Sequence, residues 1–357
     1  MAEVETRFSP ATAEDPPRVW ILAEIGVNHD GEVGRALELV AAAAEAGADA
    51  IKMQHFRPER LLSSRAGLAT YQQATERDAS SMLGRLTLTT DEIASVRDEA
   101  RRRGLGVVAT PFSPEDVAEL GELRLDAVKI ASPDVVNLPL LDAAAALGLP
   151  IVASTGAASR DEVAPAAVVL HGHAAPAALL QCVSSYPTPD EEAALSGIGV
   201  LADEFRLPVG YSDHTTSTHT GAMAVAAGAC VLEKHLTYDR GASGPDHAAS
   251  LDPPGLAEYV METRWAQAVM GPWAKRVHES EAEVRRLCRQ SLYAARPLRR
   301  GDTLRREDVT IRRPQAGLPA ADLERAVGCA LAFNLAEGDA ITPNALQWVS
   351  YPARGET

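Results

Sequence analysis

The sequence predicts an α/β protein, a (β/α)8 TIM barrel followed by a small β-rich domain, and three observations carry that prediction. Eight short apolar runs alternate with longer helical patterns between Val19 and about Met270, the mark of a parallel sheet wrapped by helices. That span matches the ~250 residues of one barrel unit. After Trp273 the texture changes to short strands broken by RRGD, RPQAGLP and LAEGDA.

In chain order, residues 1–17 are polar, acidic and proline-bearing, and read as a flexible leader with no apolar signal region. The barrel domain is expected over 18–272. Its strands are VWILAEI (19–25), ADAIKMQ (48–54), GVVAT (106–110), AVKIAS (127–132), PIVAS (150–154), ALLQCVS (178–184), PVGYS (208–212) and CVLEKHL (230–236). Between them lie helical patterns such as 33–47 and 91–104, each closed by a glycine suited to end a helix. The stretch 56–90 is too long for an ordinary connection and reads as a substrate-covering excursion. Residues 273–287 read as a charged linker helix, 288–350 as the β-rich domain and 351–357 as a tail.

Composition narrows the function. The 357 residues hold 34 basic against 49 acidic side chains, a balance of −15, which argues against a nucleic-acid partner. Residues 281–357 hold 12 Arg and 10 acids, so the acidity belongs to the barrel portion. The longest apolar runs, such as 224–232, fall short of the ~20 residues of a membrane span. Four cysteines, at 182, 230, 288 and 329, show no CxxC pairing, which suits reduced thiols in a cytoplasm. Of the 34 cations, 30 are Arg and four are Lys, at 52, 129, 234 and 275.

Three of those lysines end strands, where a barrel displays its chemistry. The strand-end polar set is Glu24, Lys52, Gln54, Thr110, Lys129, Ser132, Ser154, Ser184, Tyr186, Ser212, His214, Lys234 and His235. Two lysines with several hydroxyls at one mouth suit a ligand bearing phosphate and carboxylate; the plainer alternative pairs Lys52 and Lys129 with Glu24 or Glu233 inside the barrel. His214 and His235 end neighbouring staves at one height, and two imidazoles leave coordination positions open on a divalent metal. His29 and His247, in loops at the same end, are candidate substrate contacts. His171, His173, His219 and His278 read as structural or solvated.

The motifs AEIGVNHDG (23–31), AGADAIKMQ (46–54), ATPF (109–112), VKIASPDVVNLPLL (128–141), STG (154–156), QCVSSYPTP (181–189), GYSDHT (210–215), EKHLTYDR (233–240) and GPDHAASLDP (244–253), taken in order, resemble the sialic acid synthase family. Residues 291–319 resemble that family's C-terminal antifreeze-like (SAF) domain. The resemblance implies condensation of phosphoenolpyruvate with the open-chain aldehyde of N-acetylmannosamine or a related acylamino sugar. Carbon 3 of phosphoenolpyruvate attacks the aldehyde, water adds at carbon 2, and phosphate leaves by C–O cleavage. It also implies a divalent metal on His214 and His235, Mn2+ first with Mg2+ or Co2+ as alternatives, and a domain-swapped homodimer.

Residue by residue, the resemblance implies that Lys52, Gln54, Thr110, Lys129, Ser132, Ser154, Ser184, Tyr186 and Ser212 hold phosphoenolpyruvate. Glu24 would stabilise a developing cationic carbon or assist proton movement. Asp134, Tyr186 and Asp246 would contact the sugar, and Arg313 would reach its acyl group from the other subunit. The chain departs from the family pattern at His55, Ser113, Ser184, Gln290 and Gln315. His55 and the 56–90 excursion lie where a modified sugar, such as a legionaminic- or pseudaminic-type precursor, would be accommodated. Two readings compete with the synthase: a Schiff-base aldolase using Lys129 or Lys234, and an ice-binding module on an inert barrel.

Overall fold

The computed structural model describes residues 8–68 and 78–348. Its first strands and helices run β1 (Trp20–Glu24), α1 (Val33–Glu45), β2 (Ala50–His55), α2 (Pro58–Leu61), α3 (Ala79–Leu86), α4 (Thr90–Arg102), β3 (Gly106–Pro111) and α5 (Pro114–Gly121). The barrel continues through β4 (Ala127–Ile130), α6 (Leu138–Ala146), β5 (Ile151–Ser154), α7 (Arg160–Gly172), β6 (Ala177–Cys182), α8 (Gly197–Phe205), β7 (Val209–Asp213), α9 (Thr220–Ala226), β8 (Val231–His235) and α10 (Pro253–Met270). The eight strands close in sequence order into a parallel barrel, β8 pairing back onto β1 with Glu24 opposite His235. Each expected strand is present, its ends displaced by no more than two residues in either direction.

The local causes are ordinary. Helix α1 buries Ala36, Leu39, Val40 and Ala43, one face at helical spacing. Helix α4 opens on a capping box in which Thr89 and Glu92 satisfy each other's backbone N–H groups. Gly47 and Gly104 follow their helices at φ +82° and +78°, a left-handed turn that a side chain would strain. The outer faces of the strands and the helices share one apolar cluster, and a second cluster fills the N-terminal end of the barrel interior.

The expectation of a flexible leader over 1–17 fails for its second half. Phe8 is buried and stacks on Trp20, ring centroids 6.1 Å apart, and Ser9 bridges Arg18, so this segment seals the N-terminal end of the barrel. The 56–90 excursion contains α2 and α3; residues 69–77 of it lie outside the described residues, as do 1–7 of the leader and 349–357, which take in the tail.

The chain divides into two compact units between Ala274 and Lys275. In the second, the helix expected across 273–287 is confined to α11 (Ala282–Cys288). It starts late because His278 donates its backbone N–H to Glu281 and caps a short turn ahead of it. Antiparallel pairs follow: β9 (Ser291–Ala294) with β10 (Val309–Arg312), and, after α12 (Leu323–Ala326), β11 (Ala330–Leu331) with β12 (Leu346–Gln347). Leu292, Leu304, Leu331 and Ile341 anchor its own core. Among the described residues, no helix is long and apolar enough to cross a membrane.

Candidate active site

One pocket opens at the C-terminal ends of the strands, and strand alternation decides what faces it. Lys52 and Gln54 (β2), Thr110 (β3), Lys129 (β4), Ser154 (β5), Ser212 (β7) and Glu233 with His235 (β8) are inward positions, joined by Ser132, Tyr186, His214 and Asp246 from the loops that follow. Charged groups in an apolar barrel must find partners, and these do. Lys52 forms an ion pair with Glu24 and lies 3.4 Å from Glu233 Oε1, while Lys129 Nζ is 3.6 Å from Glu233 Oε2 and donates to Ser154 Oγ at 2.6 Å. Ser212 donates to Glu233 at 3.1 Å. The plainer reading of the lysines is present, since both are paired with barrel glutamates, and both also line the pocket.

Glu24 and Glu233 share the Lys52 ammonium and are driven apart. Burial dominates at Glu24 and pushes it up to about 8, against the opposing pull of Lys52. At Glu233 burial is outweighed by Lys129 and Lys52, which hold the carboxyl well below the usual range. Burial lowers Lys129. Asp246, fully enclosed, is raised to about 6 by burial. Burial thus favours the protonated form of Glu24, while Lys129 and Lys52 favour the ionised form of Glu233.

Among the described residues, His214, Glu233 and His235 offer ligand atoms that all lie within 4.8 Å of one another. His214 Nδ1 sits 2.8 Å from the Val183 carbonyl, which only accepts, so Nδ1 carries a proton and Nε2 is the nitrogen that could meet a ligand; burial lowers this ring, but Cys182 and the Val183 carbonyl outweigh it and shift it upward. His235 Nδ1 and Glu233 Oε2 are buried without a hydrogen-bond partner, and burial lowers His235 so that its ring stays neutral. Two imidazoles and a carboxylate held in its ionised form, with His235 Nδ1 and Glu233 Oε2 left as unsatisfied buried atoms, are a donor set that fits a divalent cation. The Tyr186 ring lies over His214, centroids 4.1 Å apart.

The rest of the pocket wall is apolar. Met82, Leu83 and Leu86 of α3 join Val27 and Phe112, backed by Phe56 edge-on to Phe112 at 5.8 Å.

Some expected residues are elsewhere. Glu24 lies beneath Lys52 and fully buried, outside the pocket lining. Asp134 is half-buried and Ser184 exposed, and neither lines the pocket. Arg313 belongs to the second unit. His55, one residue past Gln54, turns the other way and meets Glu119 at 2.8 Å, so it does not reach a sugar. His29 and His247 also lie outside the pocket lining. His29 Nδ1 accepts from the Gly31 N–H, and His247 bridges Thr237 and Asp30 at 2.7 and 3.1 Å, bracing the β1 and β8 loops against each other. Ser113 caps α5 through the Asp116 N–H. His219 stands at the N-cap of α9, just outside the helix.

Two functional positions escaped the sequence reading. Glu233 appeared there only as a possible ion-pair partner, although the E-K-H alternation of β8 puts it on the same face as His235. Gly156 allows a close approach: a Cβ there would lie 2.3 Å from Ser184 Oγ and 2.9 Å from both Cys182 Sγ and Ser132 Oγ.

The NeuB family model matches residues 39–275 and the SAF domain model residues 289–347. The chain belongs to the NeuB family. This NeuB-family chain is 36% identical over 327 residues to the N,N'-diacetyllegionaminic acid synthase of Legionella pneumophila, covering 89% of this chain and 92% of that one. It is 37% identical over 330 residues to the enzyme of the same name from Campylobacter jejuni, covering 91% and 99%. The crystal structure of an N-acetylneuraminic acid (sialic acid) synthetase from Leptospira borgpetersenii in complex with citrate superposes with a TM-score of 0.69 at 32% identity, covering 78% of this chain and 95% of that one. This NeuB-family protein is accordingly an enzyme, an acid synthase built as a barrel followed by a SAF domain.

Proposed function

We propose that the protein condenses phosphoenolpyruvate with the open-chain aldehyde of an acylamino hexose and water, giving a nine-carbon 2-keto acid and phosphate, and that the acceptor carries two acylamino groups. The observation that carries the reading is a single mouth in which Lys52 and Lys129, ringed by hydroxyls, sit beside the His214–Glu233–His235 triad. Lys52, Lys129, Ser132, Ser154, Ser212, Thr110 and Gln54 bind the phosphate and carboxylate of phosphoenolpyruvate, the ammonium groups supplying charge and the hydroxyls direction. A divalent ion, Mn2+ in this proposal, held by His214, Glu233 and His235 supplies a Lewis acid for the acceptor carbonyl.

Burial pushes Glu24 up to about 8 beside Lys52, which favours a role in proton movement over stabilisation of a cationic carbon. Tyr186 and Asp246 orient the sugar, whereas Asp134 and Ser184 stand back from the mouth. The apolar wall of Met82, Leu83, Leu86 and Phe112 supports an acceptor with acyl methyls in place of hydroxyls, because an unpaired hydroxyl against such a wall would lose its hydrogen bonds. The two relatives whose names carry N,N'-diacetyl favour the same choice. Arg313 contacting an acyl group across a homodimer is supported by the family resemblance alone, and a cytoplasmic setting by the free cysteines.

Phosphate release from phosphoenolpyruvate, followed with N-acetylmannosamine and with its 4-acetamido counterpart, tests this, with mass spectrometry of the products. Turnover should require both a sugar and a divalent metal, with the diacetamido sugar favoured at least ten-fold in kcat/KM. Turnover that survives chelation, or borohydride trapping of pyruvate on Lys129, would sink the synthase reading; equal use of both sugars would sink only the acceptor.

A further inference from the structure

Of the three buried lysines, Lys234 is the one the pocket does not use. Strand β7 ends in Ser212-Asp213 with His214 directly after it, and β8 ends in Glu233-Lys234-His235. Alternation turns Ser212, His214, Glu233 and His235 into the mouth and sends the two intervening residues to the outer side of the barrel. There Asp213 and Lys234 are directly paired in the ladder. Lys234 Nζ lies 3.0 Å from Asp213 Oδ2, and neither side chain has any solvent exposure.

The pair is tied on every side. Asp213 accepts from the Thr215 N–H at 2.9 Å, from Thr215 Oγ1 at 2.8 Å and from Thr220 Oγ1 at 2.5 Å. Lys234 donates to the Thr215 carbonyl at 2.7 Å, and its ammonium lies 5.1 Å from the centre of the Tyr259 ring of α10. Four elements thus meet at one ion pair: the ends of β7 and β8, the N-terminus of α9 and the face of α10. The same ties remove Lys234 from consideration as a Schiff-base nucleophile.

A buried ion pair is a poor way to gain stability, since apolar residues of the same volume do as well or better. What it supplies is a single geometry. Apolar contacts tolerate a slide of one strand past another, whereas a carboxylate with three donors and an ammonium at fixed directions does not. The cost of such a slide would fall on the residues one step to either side, Ser212, His214, Glu233 and His235, three of which form the candidate ligand set.

We propose that Asp213 and Lys234 are positioning residues, a clamp on the outer side of the barrel that fixes the ends of β7 and β8 at one height so that His214, Glu233 and His235 converge as one metal-ligand set. The proposal rests on reading that triad as a metal site.

The test is Mn2+ binding to the full-length protein without substrates, followed by the electron paramagnetic resonance signal of free Mn2+, alongside thermal unfolding. In the Asp213→Asn/Lys234→Met double variant, packing and the bond from the Thr215 N–H are kept while the charges go. It should unfold within a few degrees of the parent yet bind Mn2+ at least ten-fold more weakly. Thr220→Val, which removes one donor and leaves the pair, should weaken binding about three-fold, with Thr220→Ser restoring it; this arm decides the matter if the double variant does not fold. Parent-like Mn2+ affinity in the folded double variant, or in Thr220→Val, overturns the clamp while the metal site stands. A parent protein that binds no Mn2+ overturns the metal site and the clamp together.

Discussion

The barrel interior holds two layers on the same strands, and they differ by one step of the pleat. At the N-terminal end the inward residues are Leu22, Ala50, Val108, Ala127, Val152 and Val231, sealed by Phe8 and Trp20. Two positions further along each of those strands stand Glu24, Lys52, Thr110, Lys129, Ser154 and Glu233. Backbone, register and direction are shared, so side-chain chemistry alone separates a plug from a pocket. The lower layer also acts on the upper one: it keeps water from beneath the charges, and desolvation is the main force pushing Glu24 up to about 8.

That division can be broken from either side. The largest effect is expected in the upper layer, where His214→Ala should abolish metal-dependent turnover, a loss of several orders of magnitude, with the thermal midpoint little changed; a variant that still turns over with Mn2+ would remove His214 from the ligand set. In the lower layer, Leu22→Ala should cost roughly 2–5 kcal/mol of stability, the range for a buried leucine truncated to leave a cavity. Its kcat/KM, measured where the variant is still folded, should stay within a few-fold of the parent, and a specific collapse of kcat there would show that the two layers are not separable.

The smallest effect sharpens the boundary of the mouth. Glu119 is held down to about 2 from an ordinary 4.5, first by Arg60 and then by His55. A depressed carboxyl contributes stability that is complete above its unfolded value and disappears as pH falls toward the folded one. Glu119→Gln should therefore lose under about 1 kcal/mol at pH 7, and denaturant unfolding should show the gap to the parent closing as pH drops below 4.5. Acceptor selectivity should not move, because His55 and Glu119 face each other away from the sugar pocket; a change in selectivity would return His55 to the site.

Much of the site was legible because a barrel strand has a period of two and a known chemical end. That Lys52, Lys129, His214 and His235 line one mouth needed only the strand boundaries and that rule. Where the chain leaves the strand the rule lapses. His29 and Asp134 lie a few residues past a strand end and His247 well past β8, where the direction is set by contacts such as that of His247 with Asp30; His55, the last residue of β2, keeps to the alternation and turns outward to Glu119. Glu233 was missed for the opposite reason: inside the strand it looked like a counter-ion, and only the convergence with His214 gives it a second role.

Local pattern thus determined the eight strands, their alternation with helices and the polar step at their C-terminal ends, since apolar periodicity is written into neighbouring residues. The tertiary structure decided that burial pushes Glu24 up while two lysines hold Glu233 down, where the apolar wall of α3 lies, and that Asp213 meets Lys234 behind the two histidines. Each of those depends on burial or on contacts between residues far apart in the chain, and neither is a property of any short stretch of it.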